Sequence, residues 1–174
     1  FTINYSYTDS FGCSNSRNQV LIVDTTNVSL SLSPLGQICR NTDSLTLGGA
    51  NPTGGLFSGI GVIGTTFYPS LAGLGSTNIT YSYTGPNACI ATVVEDIIVD
   101  SVPIVNLAQM ANQCTNDSVF NFTGGQPNGG LYKLNGISSS QFDPQIGLIG
   151  TNILQYHFTD NNGCSSQDSI FFEI

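Results

Sequence analysis

A short segment that ends in a cysteine occurs three times in this chain, at residues 3–13, 79–89 and 154–164. Each copy alternates apolar and polar residues, which is typical of a β-strand with one buried face. Each copy then passes through a turn rich in Asp, Asn, Gly or Pro. We therefore predict three β-hairpins whose aromatic residues lie in a core. The aromatic residues are Tyr5, Tyr7, Tyr81, Tyr83, Tyr156 and Phe158.

The cysteines repeat at a fixed interval. The interval from Cys39 to Cys114 equals the interval from Cys89 to Cys164, and Cys13 precedes Cys89 by nearly the same interval. Self-similarity at a fixed period, here about 75 residues, is the mark of a modular array. We predict three segments of such an array: the end of one repeat at 1–26, a whole repeat at 27–102 and a second whole repeat at 103–174.

The cysteine spacing also predicts disulfides. The two cysteines of each whole repeat lie about 50 residues apart, and no CxxC cluster of the metal-binding kind is present. This pattern indicates disulfides and an oxidising compartment. We expect the bonds Cys39–Cys89 and Cys114–Cys164, with the partner of Cys13 outside this sequence. Each bond would contribute about 4 kcal/mol by closing its loop in the unfolded chain.

A second pairing ties neighbouring repeats together through Cys13–Cys39 and Cys89–Cys114, and it leaves Cys164 for a following repeat. We favour pairing within repeats, because these cysteines lie far apart if the repeats are arranged end to end. In the immunoglobulin strand order, however, a cysteine before the second strand and one that opens the last strand fall at opposite ends. Pairing within repeats therefore implies a different strand order.

Short alternating segments separated by Gly, Pro and Asn predict an all-β fold. No segment shows the periodicity of an amphipathic helix. We predict tandem immunoglobulin-like β-sandwich repeats with one disulfide per repeat. The antibody-type signature is missing, since the chain has no Trp and no Tyr two residues before the second cysteine of a repeat. The sequence opens inside a strand pattern, so we expect an internal part of a longer secreted protein.

The charge balance argues against several partners. The chain has three basic and eleven acidic residues, which gives a net charge of −8. Nucleic-acid binding needs Lys and Arg to displace counterions from phosphates, and an anionic membrane surface is disfavoured for the same reason. No apolar run approaches the ~20 residues that cross a bilayer. We expect neither a nucleic-acid partner nor membrane insertion.

The sequence offers little for catalysis, and we expect no catalytic residues and no cofactor. His157 is the only histidine, which argues against a catalytic triad, and alternation places it on the surface. The glycine-rich connections 48–55 and 124–130 lack the Lys and the following helix of a phosphate cradle. We interpret them as loops that need positive φ angles.

One acidic group suggests a weak calcium site. Glu95, Asp96 and Asp100 lie near the end of the first whole repeat, and carboxylates are typical calcium ligands. The other repeats do not share Glu95 and Asp96. We therefore favour a solvated strand edge, with calcium as the alternative.

Several motifs of both whole repeats resemble a known family. They are residues 39–43 (CRNTD), 54–62 (GGLFSGIGV), 67–69 (FYP), 72–75 (AGLG), 79–84 (ITYSYT), 114–117 (CTND), 129–132 (GGLY) and 160–164 (DNNGC). The chain resembles the tandem immunoglobulin-like repeats of giant Bacteroidota surface proteins, which include gliding-motility adhesins exported by type IX secretion. It departs from the pattern at two places that we expect to be loops, with Lys133-Leu134 in place of Ser-Gly and Gly85-Pro86 in place of Thr-Asp. The family has no catalytic residues to transfer.

A second resemblance concerns modification. Five aspartates precede Ser or Thr and then an apolar residue or Thr, which resembles the acceptor for O-glycosylation of exported Bacteroidota proteins. The acceptors would be Thr25, Ser44, Ser101, Ser118 and Ser169. Asp-Ser is also good turn chemistry before a strand, and both readings remain open.

The resemblance implies a structural spacer in an extended, secreted cell-surface adhesin, with adhesion or gliding as its role. Its partners would be neighbouring repeats, while other domains contact a surface polysaccharide or another cell-surface ligand. Two alternatives stay open. One is a glycan-binding accessory module of a secreted hydrolase, and the other is a filament subunit that exchanges strands.

Overall fold

The computed structural model describes residues 1–22, 28–146 and 149–174, and these residues are mostly β-structure. The strands in the first half are β1 Thr2–Thr8, β2 Ser14–Val20, β3 Ser31–Leu32, β4 Gln37–Cys39, β5 Leu45–Thr46, β6 Ala50–Asn51, β7 Leu56–Ser58, β8 Val62–Ile63, β9 Thr66–Phe67, β10 Gly75–Thr84 and β11 Ile90–Asp100. The remaining strands are β12 Asn106–Leu107, β13 Phe120–Asn121, β14 Gly125–Gln126, β15 Leu131–Leu134, β16 Ile137–Ser138, β17 Gln141–Phe142, β18 Thr151–Thr159 and β19 Ser165–Glu173.

The three predicted hairpins are confirmed as β1–β2, β10–β11 and β18–β19. All three are antiparallel and share one register. Tyr5 lies opposite Arg17, Tyr81 opposite Val93, and Tyr156 opposite Asp168. Because the register of a hairpin is fixed by its turn and its buried face, the repeat in sequence becomes a repeat in structure.

Two of these hairpins are extended into four-stranded sheets. The first sheet has the order β4-β11-β10-β7, and the second has the order β16-β15-β18-β19. In the first sheet β4 runs parallel to the end of β11, so that Cys39 lies opposite Asp100. The sequence did not predict this short parallel strand, and it decides where Cys39 lies.

Small sheets surround the two large ones. They are β3-β6 and β5-β9-β8 in the first half of the chain, and β12-β14 and β13-β17 in the second. One helical turn, α1, spans Pro69–Ala72 and begins with a proline, which is a favourable residue at that position. Within the described residues, no helix is both long and apolar enough to cross a membrane.

Buried apolar residues form two clusters, and each lies inside one of the predicted whole repeats. The first contains Leu47, Phe67, Ile79, Ile97 and Val99. The second contains Leu107, Phe122, Phe142, Leu154, Tyr156, Ile170 and Phe172. Four positions of the first cluster recur one repeat period later in the second: Leu47 as Phe122, Phe67 as Phe142, Ile79 as Leu154 and Ile97 as Phe172.

A buried tyrosine holds the glycine-rich loop in each whole repeat. The Tyr81 hydroxyl donates to the Pro52 carbonyl at 2.7 Å and accepts from the Gly55 N–H at 2.7 Å. The Tyr156 hydroxyl makes the same two contacts at 2.6 Å, with Pro127 and Gly130. The rings also pack on equivalent neighbours, with centroids 4.9 Å apart for Phe57–Tyr81 and 4.7 Å for Tyr132–Tyr156.

The contact with the tyrosine ring explains why these loops contain two successive glycines, which backbone freedom alone does not explain. Gly54 and Gly129 do have positive φ, of 92° and 96°, as predicted for these loops. The next glycine in each loop has a different reason. A Cβ at Gly55 or Gly130 would collide with the tyrosine ring and a backbone carbonyl. We call this arrangement the tyrosine clamp.

The prediction that the hairpin aromatics are buried holds for some and fails for others. Tyr81 and Tyr156 are each 1% exposed, whereas Tyr83 and Phe158 are half-buried. Tyr5 and Tyr7 are 68% and 61% exposed, so the prediction is wrong for them in this structure. The reason is that β1 and β2 form a two-stranded sheet, with no second layer over it in the part of the chain described.

The tyrosine clamp predicts a specific stability change. Tyr156→Phe and Tyr81→Phe remove one hydroxyl each and leave a partly buried N–H and a partly buried carbonyl unpaired, so each should lower the unfolding free energy by about 1–3 kcal/mol. Tyr5→Phe, at the equivalent but exposed position, should change it by less than about 0.5 kcal/mol. Urea unfolding of the three variants measures this. Equal effects at Tyr5 and Tyr156 would contradict the clamp.

Candidate functional site: the disulfide junction

One disulfide joins Cys39 to Cys164, with an S–S distance of 2.06 Å and a Cα–Cα distance of 5.5 Å. The two residues are 125 positions apart in the chain, and they belong to different predicted repeats. The predicted bonds Cys39–Cys89 and Cys114–Cys164 are therefore wrong in this structure. Cys13, Cys89 and Cys114 are exposed free thiols.

Strand length explains why Cys39 does not bond to Cys89. Cys39 lies opposite Asp100, at the last residue of β11, whereas Cys89 directly precedes the first residue of the same strand. At about 3.3 Å per residue, these positions are about 36 Å apart. A disulfide needs Cα atoms within roughly 4.4–6.8 Å, so the bond within the repeat would require the sheet to come apart.

The second repeat has the same layout. The Gln113 N–H donates to the Glu173 carbonyl at 2.9 Å, which places Cys114 beside the end of β19. Cys164 directly precedes the start of that strand. The two ends of β19 are about 27 Å apart. The two cysteines of one repeat thus lie at opposite ends of one long strand. This is the placement expected for the immunoglobulin strand order, with which pairing within repeats is not compatible.

The alternative pairs Cys13–Cys39 and Cys89–Cys114 are also absent. The observed bond does link the two predicted repeats, as that alternative required. The observed bond joins Cys39, the first cysteine of one repeat, to Cys164, the second cysteine of the following repeat. The alternative instead joined Cys89, the second cysteine of one repeat, to Cys114, the first cysteine of the following repeat.

Polar contacts surround the disulfide. The Asn41 side chain donates to the Ser165 carbonyl at 3.1 Å. The Asn162 amide donates to Asp100 Oδ1 at 3.1 Å, and the Gln37 amide reaches the Asn162 carbonyl at 3.5 Å. These three contacts join residues of the first repeat to the turn between β18 and β19.

That turn is shaped by its own aspartate. Asp160 Oδ1 accepts the N–H groups of Asn162 and Cys164 at 3.0 and 2.9 Å. Gly163 adopts a φ of 85°, a conformation that glycine takes without steric cost. The turn therefore presents Cys164, which is fully buried, in a fixed position towards Cys39. In the sequence, the motif DNNGC at 160–164 predicted the turn and the position of Cys164. It did not predict which cysteine would be the partner of Cys164.

The calcium candidates are not brought together. Glu95 and Asp96 are successive residues of β11 and point to opposite faces of the sheet. Asp100 lies four residues beyond Asp96, about 13 Å along the strand, and its Oδ1 accepts from Asn162. No group of three metal-ligating side chains occurs among the described residues. The weak calcium alternative for these three carboxylates is therefore not supported.

The proposed O-glycosylation acceptors are accessible where they are described. Ser44, Ser101, Ser118 and Ser169 are all exposed, while Thr25 lies outside the described residues. Three of the preceding aspartates have structural partners: Asp100 Oδ1 accepts from the Asn162 amide at 3.1 Å, Asp117 Oδ2 accepts the Cys114 N–H at 2.6 Å, and Asp168 Oδ2 accepts the Leu107 N–H at 2.8 Å. Only the Asp117 contact is local turn chemistry, since Asp168 lies within β19, and both interpretations of the motif stay predictions.

His157 is half-buried rather than on the surface, because it lies in β18 between Leu131 of β15 and Gln167 of β19. Its Nε2 is enclosed and has no hydrogen-bond partner among the described residues. Burial, followed by the positive charge of Lys133, lowers the pKa of His157 below its usual value of 6.5. The neutral imidazole is therefore favoured at pH 7.

No protein-family model matches this chain, and no curated protein matches it.

The disulfide should carry a large share of the stability of the oxidised chain. Cys164→Ser opens a 125-residue loop, and the chain-entropy relation then predicts a loss of about 5 kcal/mol. Cys89 lies in the equivalent turn of the first repeat, but it is an exposed free thiol. Cys89→Ser should therefore change the unfolding free energy by less than about 0.5 kcal/mol. Urea unfolding without reductant measures both. Comparable losses would contradict the observed pairing.

Proposed function

We propose that this chain is a structural spacer made of tandem immunoglobulin-like β-sandwich repeats, in an extended and secreted cell-surface adhesin. In this role the repeats carry load and project a distal binding region. The observation that carries the proposal is the disulfide between two consecutive repeats, because a bond across a junction resists separation of the units it joins.

The recurrence of one structural plan supports the repeat architecture. The hairpins β1–β2, β10–β11 and β18–β19 share a register, and the tyrosine clamp is present in both whole repeats. Each whole repeat contributes a four-stranded sheet, smaller facing sheets and its own apolar cluster. A sheet packed against a second layer around one core is the plan of a β-sandwich.

The strand directions support a head-to-tail order. The last residue of β11, Asp100, lies beside Cys39, and the disulfide brings the β18–β19 turn to that same end. The second repeat therefore begins where the first one ends. Two covalent links cross this junction: the main chain after Asp100 and the Cys39–Cys164 bond.

The cell-surface part of the proposal rests on the resemblance to Bacteroidota gliding-motility adhesins and on composition. Disulfides persist in oxidising, extracellular surroundings, and a net charge of −8 suits a soluble surface protein. Type IX export, adhesion and gliding are carried over from the resemblance alone. The ligand would be a polysaccharide or another cell-surface molecule that other domains bind.

Two observations keep the alternative functions in view. The apolar face of β1 is exposed, although the residues equivalent to its Ile3 and Tyr5, namely Ile79 and Tyr81, are buried. A strand-exchanging filament subunit would use such a face. An open depression on the same hairpin is the place where a glycan-binding module would take a sugar. It is lined by Tyr5, Tyr7, Asn15, Ser16 and Arg17. The spacer requires only that the rest of the repeat to which this hairpin belongs cover it.

Single-molecule pulling on the two ends of the chain tests the load-bearing role. In the oxidised chain, the disulfide should shield the 125-residue segment between its cysteines from extension. Adding reductant should then lengthen the fully stretched chain by about 45 nm, at ~3.6 Å per residue.

A variant with Ser at positions 13, 89 and 114 should show the same gain on reduction, because those thiols are free in this structure. Cys39→Ser should abolish the gain. The proposal fails if reduction adds no length, since the bond then bears no load. A gain of about 36 nm, the value for two loops of about 50 residues each, would show that the cysteines pair within repeats.

A further inference from the structure

The three free cysteines occupy the same structural positions as the two cysteines that are bonded. Cys13 and Cys89 follow hairpin turns, as Cys164 does, and we call these three the turn cysteines. Cys114 lies beside the end of β19, as Cys39 lies beside the end of β11, and we call these two the edge cysteines. The one disulfide joins an edge cysteine to a turn cysteine.

The turn at Cys13 matches the bonded turn at Cys164 in detail. Asp9 Oδ1 accepts the N–H groups of Phe11 and Cys13, both at 2.9 Å, just as Asp160 does in its turn. The Asp9 N–H donates to the Cys13 carbonyl at 2.9 Å, and the Asp160 N–H donates to the Cys164 carbonyl at 3.0 Å. Gly12 has a φ of 82°, against 85° for Gly163.

The turn at Cys89 keeps the backbone part of this pattern. The Gly85 N–H donates to the Cys89 carbonyl at 2.8 Å, and the Ala88 N–H donates to the Gly85 carbonyl at 3.0 Å. Ala88 takes the positive φ, 60°, that glycine takes in the other two turns. The three turns thus present their cysteines in the same way.

The edge at Cys114 likewise matches the bonded edge at Cys39. The Cys39 carbonyl accepts the Thr42 N–H at 3.0 Å, and the Cys114 carbonyl accepts the Asp117 N–H at 2.9 Å. Asn41, which holds the incoming turn through the Ser165 carbonyl, has its counterpart one repeat period later, at Asn116. The acceptor on the turn is a backbone carbonyl, so any repeat can supply it.

We propose that Cys114 forms a disulfide with the turn cysteine of another repeat of this kind, and that Cys13 and Cys89 bond to edge cysteines in the same way. The Cys39–Cys164 bond is then one member of a periodic series that crosslinks each repeat to the next. This inference stands on the repeat and the observed bond alone, so it does not depend on whether the parent protein is an adhesin.

The free cysteines do not form disulfides with one another inside this chain. β11 separates Cys89 from the junction, and β19 separates Cys114 from it on the other side. Each strand spans about 27–33 Å, so each of these two thiols lies about one strand length from the junction. Both are free thiols in this structure, and we expect their partners in another repeat.

Forming the bond is an oxidation, and the reaction balances with a small-molecule disulfide such as oxidised glutathione. The thiolate of one cysteine attacks the glutathione disulfide, releases one glutathione and forms a mixed disulfide. The second cysteine then attacks the mixed disulfide, forms the protein bond and releases the second glutathione. Two protein thiols are oxidised and one glutathione disulfide is reduced to two thiols.

The test uses the whole chain at high concentration, because a second copy offers both kinds of cysteine. The protein is incubated with oxidised glutathione, and the intermolecular bonds are identified by peptide mapping without reductant. We expect most crosslinks to join Cys114 of one copy to Cys13 or Cys89 of another. Cys114→Ser should abolish them, and it removes only an exposed thiol.

A matched pair of variants tests the geometry. Asn116→Ala should slow the crosslinking of Cys114 about two- to tenfold, the effect of losing one hydrogen bond. Asn128→Ala, at another exposed asparagine of the same repeat, should leave the rate unchanged. Crosslinks dominated by Cys114–Cys114 or Cys13–Cys13, an unselective mixture of all pairs, or no crosslinks at all would overturn the proposal.

Discussion

The length of the final strand in each repeat determines which cysteines are close enough to form a disulfide. β11 has eleven residues and β19 has nine, and each runs between a turn cysteine at its start and the region of an edge cysteine at its end. A disulfide cannot span the ~30 Å of such a strand. The observed bond instead joins the end of β11, at Cys39, to the turn before β19, at Cys164.

Because the disulfide serves the junction, each repeat must be held together by other contacts. The tyrosine clamp is the clearest of these. It buries a large ring, satisfies the hydroxyl with one donor and one acceptor, and fixes a loop that would otherwise be free. Repeats of about 75 residues have marginal cores, so the clamp and the disulfide make separate contributions, one within the repeat and one between repeats.

The sequence predicted the local features well. Alternating residues and turn chemistry were enough to predict the three hairpins, and the repeat period identified equivalent residues such as Tyr81 and Tyr156. Features that depend on distant contacts were missed. The short strand β4 pairs in parallel with the far end of β11, from Ile98 to Asp100, and no local pattern encodes that pairing. Without it, the equal cysteine spacing in the two whole repeats favoured the wrong bonds.

The same distinction explains the remaining differences. Alternation predicted a buried face for β1, but burial needs a second layer, and the described chain supplies none for Tyr5. Proximity in sequence suggested a calcium site at Glu95 and Asp96, but successive residues of a strand face opposite sides. For β1 the missing tertiary partner decided the outcome, whereas for the two carboxylates the alternation of the strand itself decided it.

The most direct test of this account is a disulfide map of the protein taken from its native source. Pepsin digestion at low pH, which suppresses thiol exchange because thiols are protonated there, followed by mass spectrometry without reductant, identifies the bonded peptides. We expect a peptide pair containing Cys39 and Cys164, with Cys13, Cys89 and Cys114 linked to peptides of further repeats. A bonded pair containing Cys39 and Cys89, or Cys114 and Cys164, would contradict it.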